Sequence, residues 1–118
     1  MPPGRSRRAN MVRSEFDLIR RLQAQAAQPD PHVFKGIGDD TAIIKTSSTE
    51  WTLITTDLLA EGVHFDPATS SFRDIGYRAA IANLSDIAAM GGTPRFMLVS
   101  IAIPPTCSTT EIQELYRG

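Results

Sequence analysis

Cysteine and histidine are scarce in this sequence. Cys107 is the single cysteine, and His32 and His64 are the two histidines. One thiol cannot form an internal disulfide, and one thiol with two imidazoles does not supply the four ligands of a structural zinc site. This cysteine usage favours a reducing, cytoplasmic setting.

Long hydrophobic runs and the common nucleotide-binding loops are also missing. No apolar stretch approaches the length of about 20 residues needed to cross a bilayer, so an integral membrane protein is excluded. The segment GIGDDTAIIK, residues 36–45, has neither the Gly-Lys-Ser/Thr of a P-loop nor the third glycine of a dinucleotide-binding loop. Any ATP would therefore be bound by another route.

The basic residues are unevenly distributed. The first 13 residues carry four arginines and no acid: Arg5, Arg7, Arg8 and Arg13. This composition predicts a disordered basic arm over residues 1–13, with a nucleic-acid-binding segment or part of a transit peptide as alternatives. The remaining chain has 8 basic and 13 acidic residues, a net charge of −5, so neither nucleic acid nor a membrane surface is an expected partner.

Size and patterning predict one α+β domain over residues 14–118. The chain has 118 residues, of which 42% are hydrophobic and 21% charged, as in an ordinary soluble domain. Helices are predicted from a Ser14 cap to a point before Pro29, over residues 74–92 with Asp74 as the cap, and from Ser108 onward. Strands are predicted over residues 41–46, 51–56 and 95–104, the first two joined by a short SSTE turn. We expect a mainly antiparallel sheet flanked by helices.

The segment GIGDD, residues 36–40, places the like charges of Asp39 and Asp40 side by side after flexible backbone. Two explanations stay open. The carboxylates could be hydrated on a surface turn, or they could hold a cation together with carboxylates from elsewhere in the chain.

The segment TTD ends the second predicted strand. The oxygens of Thr55, Thr56 and Asp57 therefore lie where the sheet gives way to a loop, although period-2 alternation puts Thr56 on the other face. An ordinary polar strand end is the alternative to a binding site.

Asp86 lies in the C-terminal half of the helix predicted over residues 74–92, where the helix dipole disfavours negative charge. No basic residue lies three or four positions away, and Asn83 shares its side of the helix. Alanines at 79, 80, 82, 88 and 89 indicate close packing on the sheet, which would make an unpaired carboxylate costly and a paired or metal-bound one expected. A solvated Asp86 on the outer face is the alternative.

These side chains form an all-oxygen set of hard ligands: Asp39, Asp40, Thr55, Thr56, Asp57 and Asp86. Such ligands suit Mg²⁺, which usually binds through one or two carboxylates plus substrate phosphates. Because the carboxylates come from three segments, we predict a multi-metal site that handles phosphorylated substrates.

Four segments, in this order and spacing, resemble the N-terminal domain of thiamine-monophosphate kinase: SEFDLI (14–19), GIGDD (36–40), TTDLLAEGVHF (55–65) and NLSDIAAMGG (83–92). The resemblance covers about residues 14–118. The wider superfamily, with aminoimidazole ribonucleotide synthetase, selenophosphate synthetase and a hydrogenase maturation protein, shares the pattern. SEFDLI and EGVHF favour the thiamine enzyme.

The resemblance implies ATP-dependent phosphorylation of thiamine monophosphate to thiamine diphosphate, with several Mg²⁺ ions and a dimer built from the sheets. Carried over, the metal ligands would be Asp40, Thr55, Thr56, Asp57 and Asp86. Asp57 and Asp86 would also be catalytic, Asp39 and Tyr116 would lie at the cofactor, and His64 would contact the substrate. Apart from the resemblance, a lone histidine such as His64 is more often a loop histidine than a ligand.

Members of that family continue through a glycine-rich GGD segment and a second α+β domain, whereas this chain ends at Gly118 within a predicted helix. We therefore expect the 118-residue polypeptide alone to be inactive or nearly so. Two other functions stay open. One is a binding or assembly domain that pairs through apolar surface from WTLITT (51–56) and RFMLVSIAI (95–103). The other is a sister enzyme acting on a different phosphorylated or carbonyl substrate.

Overall fold

A three-stranded antiparallel sheet and three helices form the structure, a computed structural model that describes residues 14–26 and 30–118. The elements are, in chain order, α1 (Glu15–Ala26), β1 (Val33–Lys35), β2 (Ala42–Lys45), β3 (Trp51–Ile54), α2 (Phe72–Ala89) and α3 (Thr109–Arg117). The strand order is β1-β2-β3 and both pairs are antiparallel. The predicted α+β class is therefore confirmed. The predicted basic arm, residues 1–13, lies outside the described residues.

The hairpin of β2 and β3 forms where the β-branched runs predict it. Its register pairs Ala42 with Ile54 and Lys45 with Trp51. The Ser47 hydroxyl accepts a hydrogen bond from the backbone N–H of Glu50 at 3.0 Å, which stabilises the SSTE turn. The strands are shorter than predicted, so residues 55–57 follow the paired region.

Strand β1 was not predicted, and it completes the sheet beside β2. Its Phe34 ring meets the Trp51 ring edge to face, with ring centroids 4.9 Å apart. In the sequence, the pattern that could have predicted β1 is short: one β-branched and one aromatic residue between Pro31 and Gly36.

Local hydrogen bonds determine where the helices begin. The Ser14 hydroxyl accepts from the Asp17 N–H at 3.2 Å, which confirms the predicted cap of α1. The prediction that Asp74 caps α2 is wrong, because Ser71 is the N-cap and accepts from the Asp74 N–H at 3.1 Å. Both residue types are good caps, and the residue that lies three positions earlier takes the role. Ser108 is the N-cap of α3, as predicted.

The strand predicted over residues 95–104 is not formed. Phe96 and Leu98 are 96% and 100% exposed, and no described strand pairs with this segment. A β-strand needs a neighbour for its backbone N–H and C=O groups, and an apolar run by itself does not supply one. The segment therefore leaves an apolar surface open.

Packing within the described residues is closest between α2 and α3. Ile75 of α2 is the buried hydrophobic side chain there, at 3% exposed. A Cβ added at Gly76 would lie 1.9 Å from the carbonyl oxygen of Leu115, so the two backbones touch. The close packing of α2 on the sheet predicted from its alanines is limited to its C-terminal end, where a Cβ added at Gly92 would meet both Leu53 of β3 and Ile87 of α2. Within the described ranges, no helix is long and apolar enough to cross a membrane.

Candidate functional site

The Thr55 hydroxyl joins three distant segments at the end of β3. Its Oγ1 lies 3.0 Å from Oδ2 of Asp86 on α2 and 3.0 Å from the backbone oxygen of Asp40 in GIGDD. Asp86 is half-buried, which disfavours the alternative of a solvated outer-face residue. The single hydroxyl proton has two acceptors within reach, so this cluster has more lone pairs than protons.

Thr41 adds a fourth oxygen to this region. It is 2% exposed, and its Oγ1 is buried without a hydrogen-bond partner. The last register pair of the hairpin is Ala42 with Ile54, so the next position in the same register places Thr41 beside Thr55. An unsatisfied buried hydroxyl calls for a water or an ion. Sequence analysis missed Thr41. The feature that could have identified it is a hydroxyl residue directly after Asp40.

Asp57 and Thr56 follow Thr55 and lie next to the cluster. The Asp57 carboxylate accepts from the Leu58 N–H at 2.7 Å and lines two cavities that meet at this point. Thr56 lines the larger one, beside β3 and the open segment 95–98. Both residues thus line cavities beside Thr55, and neither forms a direct hydrogen bond with Asp86 within the part of the chain that the structure describes.

Asp39 is occupied by a neighbour, Lys35, whose Nζ forms an ion pair with Oδ2. The hydrogen bond from Lys35, with a second from the Asp40 N–H at 3.0 Å, holds the pKa of Asp39 below its ordinary value. Lys35 thus relieves the like-charge repulsion in GIGDD. Asp39 is predicted to lie at the cofactor, and the structure places it beside Lys35, next to the site.

His64 lines the smaller cavity, of about 360 Å³, together with Asp57, Tyr77 and Arg78. The Ala60 N–H donates to Nδ1 of His64 at 2.9 Å. A neutral ring whose Nδ1 accepts carries its proton on Nε2, so His64 has an N–H donor to offer. Leu58, Leu59 and Ile81 supply apolar wall. Sequence analysis missed Tyr77 and Arg78. The feature that could have identified them is an aromatic and a basic residue side by side on an alanine-rich helix.

Tyr116 lies elsewhere. It is 60% exposed on α3, near the first half of α2, where Leu115 approaches Gly76. Gly76 and Asp86 are ten residues apart, about 15 Å along the helix axis. The structure does not bring Tyr116 to the Thr55 cluster.

The oxygens around Thr55 fit a hard divalent cation. Across residues 14–26 and 30–118, no three Asp, Glu, His or Cys side chains form a ready-made metal-binding group. The donors that do converge are carboxylate, hydroxyl and backbone carbonyl oxygens with spare lone pairs. Mg²⁺ accepts such ligands and takes its remaining ones from water and phosphate.

Comparison with known proteins identifies the family. Residues 38–118 match the family model described as AIR synthase related protein, N-terminal domain. The chain belongs to this family. The matched region of this AIR synthase related chain contains every predicted site residue, from Asp39 to Tyr116.

Three relatives of the AIR synthase related chain share the name thiamine-monophosphate kinase. It is 42% identical over 104 residues to the thiamine-monophosphate kinase of Bacillus subtilis, covering 88% of this chain and 32% of that protein. The Synechococcus elongatus protein of that name is 42% identical over 81 residues, 69% of this chain and 25% of the relative. The Methanocaldococcus jannaschii one is 36% identical over 105 residues, 88% of this chain and 33% of the relative. The chain thus spans between a quarter and a third of these relatives. No solved structure matches it.

Proposed function

We propose that this chain is the N-terminal portion of a thiamine-phosphate kinase, which transfers a phosphoryl group from ATP to thiamine monophosphate and forms thiamine diphosphate. The observation that carries the proposal is the Thr55 contact, which joins the GIGDD and NLSDIAAMGG segments at one point. The similarity to thiamine-monophosphate kinases over most of this chain supports it.

The acceptor in this reaction needs little activation by the protein. The second pKa of a phosphate monoester is about 6, so the acceptor is largely a dianion at neutral pH and needs no strong general base. The central problem is the repulsion between donor and acceptor phosphates. Mg²⁺, when bound, would neutralise this charge and stabilise the transferred group.

The chain's own residues would hold the ions and keep their carboxylates oriented. The proposed metal ligands are Asp40, Thr55, Thr56, Asp57 and Asp86. The Thr55 hydroxyl fixes one oxygen of Asp86, and the Leu58 N–H fixes one oxygen of Asp57. Each carboxylate keeps a second oxygen for a cation, which supports their catalytic assignment.

Substrate and nucleotide contacts are proposed for three further residues. His64 would contact thiamine monophosphate, with its Nε2–H as the donor. Asp39 and Tyr116 would lie at the nucleotide, Asp39 through its place beside Asp40. Because Tyr116 lies away from the Thr55 cluster, the proposal of its nucleotide contact rests on the family resemblance.

We also propose a homodimer that forms through the sheet. Its support is the open apolar segment 95–103, in which Phe96 and Leu98 are almost fully exposed. A second copy would supply the missing strand partner. This observation equally supports the second candidate function, a binding or assembly domain without catalysis. For the location of the protein we propose the cytoplasm, from its single cysteine.

One assay tests the proposed function. The intact protein that carries these residues is incubated with thiamine monophosphate, ATP and Mg²⁺, and thiamine diphosphate is measured. We expect product that depends on Mg²⁺ and on the phosphorylated acceptor, with none from thiamine. Turnover of another phosphorylated or carbonyl substrate instead would identify a sister enzyme. Absence of any turnover and of Mg²⁺-ATP binding by calorimetry would favour the assembly domain.

A further inference from the structure

The smaller cavity contains one permanent cation that the proposed function leaves without a role. Arg78 of α2 lines it together with Asp57 and His64. Among the described residues, no carboxylate lies within ion-pair distance of Arg78, although Asp57 lines the same cavity. A guanidinium that carries no partner in a cavity is available for an anionic ligand.

Arg78 lies apart from the Thr55 cluster along α2. Arg78 and Asp86 are eight residues apart on α2, about 12 Å along the helix axis. The acidic end of the site therefore suits cation-bound donor phosphates, whereas the Arg78 end suits an anion that binds directly to the protein. The two ends meet at Asp57, which lines both cavities.

The other walls of the cavity fit the same ligand. The His64 ring is held by the Ala60 N–H and keeps Nε2–H as a neutral donor. The side chains of Tyr77, Leu58 and Ile81 form an aromatic and apolar surface on which an uncharged or aromatic group can pack. A volume of about 360 Å³ lies at the lower end of the range for small-molecule sites. A ligand whose phosphate lies beside Arg78 and His64, and whose organic group packs on this surface, would match both the polar and the apolar side chains of the cavity.

We propose that Arg78 binds the phosphate of the acceptor and so determines specificity for a phosphorylated over an unphosphorylated acceptor. The inference rests on the proposed function. The planar guanidinium matches two phosphate oxygens through paired N–H donors, and Lys lacks this geometry. The charge also offsets the repulsion between the acceptor dianion and Asp57.

The test compares Arg78→Gln and Arg78→Lys in the intact protein, with Arg73→Gln as the matched control. Arg73 lies on the same helix, is exposed and lines neither cavity. Arg78→Gln should raise the KM for thiamine monophosphate about 10- to 100-fold, as loss of a charged hydrogen bond does, while the KM for ATP stays within about twofold. The KM of Arg78→Lys for thiamine monophosphate should lie between that of Arg78→Gln and that of the unsubstituted protein. Arg73→Gln should leave both constants unchanged.

A second measurement separates phosphate binding from a change in cavity shape. Thiamine, which has no phosphate, is tested as a competitive inhibitor, and its inhibition constant should be the same in Arg78→Gln as in the unsubstituted protein. Equal weakening of thiamine and thiamine monophosphate would overturn the inference. The inference would also be overturned if the unsubstituted protein turned over normally and Arg78→Gln had the same kinetic constants as Arg73→Gln. Absence of turnover in the unsubstituted protein would instead overturn the proposed function, and the inference with it.

Discussion

The hydroxyl oxygen of Thr55 lies 3.0 Å from Oδ2 of Asp86, a residue 31 positions later in the chain. This contact ties α2 to the end of β3, and the equally short contact to the Asp40 backbone oxygen adds the GIGDD segment. Asp86 has no basic residue three or four positions away on its own helix. Within the described residues, the half-buried carboxylate therefore depends on the Thr55 hydroxyl for its stabilisation.

Replacing Thr55 by Val should destabilise the protein. The variant keeps the side-chain shape but removes the hydroxyl proton, which leaves the half-buried Asp86 without this donor. We expect the free energy of unfolding to fall by about 1–3 kcal/mol, measured by urea denaturation. Thr52→Val is the control, because that hydroxyl contacts Thr46 at 3.4 Å on an exposed surface, and it should cost less than about 0.5 kcal/mol. Equal losses in the two variants would contradict the role of the Thr55 contact.

Asp57→Asn and Asp86→Asn in the intact enzyme should lower phosphoryl transfer by about 100-fold or more. Asparagine keeps an oxygen to accept the existing hydrogen bond at each position, so the fold should survive, as circular dichroism would verify. What is lost is the negative charge that, under the proposed function, would hold a cation. Asp66→Asn is the control, since Asp66 accepts from the Ala68 N–H in an exposed turn. Near-normal turnover in both site variants would refute the metal assignment.

Gly76→Ala should be strongly destabilising, although alanine is the better helix former by about 1 kcal/mol in an exposed helix. The new Cβ would lie 1.9 Å from the carbonyl oxygen of Leu115, so α2 and α3 would have to move apart. We expect the free energy of unfolding to fall by about 3 kcal/mol. Gly36→Ala is the control, because its Cβ would meet Val33 at an ordinary 3.9 Å. A stabilised Gly76→Ala variant would show that the helices do not pack as described.

The capping box of α3 should make stability depend on acidic pH. The N–H and hydroxyl of Ser108 donate to the Glu111 carboxylate at 2.7 and 2.8 Å. The backbone hydrogen bond is the main cause that holds the pKa of Glu111 below its ordinary value. Because the pKa of Glu111 is lowered in the folded state, its carboxylate stabilises the protein fully at pH values above the unfolded-state pKa of about 4.3. This contribution is lost as the pH falls through the folded-state pKa.

Glu111→Gln tests this dependence. Glutamine can still accept from Ser108 but does not titrate, so the variant should lose less stability than the unsubstituted protein between pH 7 and acidic pH. Denaturation curves recorded across that range measure the difference. Parallel pH profiles for the two proteins would exclude a contribution from Glu111.

Leu98→Lys should shift the proposed dimer towards monomer. Leu98 is fully exposed in the segment that lacks a strand partner, and a buried lysine in its place would carry an unpaired charge into the interface. Light scattering after gel filtration measures the molar mass. Val63→Lys is the control, because Val63 is 77% exposed in the loop before His64 and is not part of that segment. A dimer that persists in Leu98→Lys, or an unsubstituted protein that is monomeric, would refute dimerisation through this segment.

The elements that the sequence predicted are those whose signal is local. Two runs rich in β-branched residues and the SSTE turn specify the β2–β3 hairpin, and Ser108 with Glu111 forms a capping box from residues three positions apart. The segment 95–104 has an equally good strand pattern but no neighbour to pair with, so that prediction failed. Choosing between Ser71 and Asp74 as the cap of α2 required the actual backbone direction at Ser71.

By itself the sequence determined which residues carry hard oxygen donors, which segments tend towards helix or strand, and which family pattern they follow. Tertiary structure alone decided that the Thr55 hydroxyl reaches Asp86 and the Asp40 backbone, and that Arg78 shares a cavity with His64. These contacts depend on the register of β2 and β3 and on the position of α2 beside them. Backbone and side-chain preferences act over a few residues, whereas such contacts join residues many positions apart, so no local pattern encodes them.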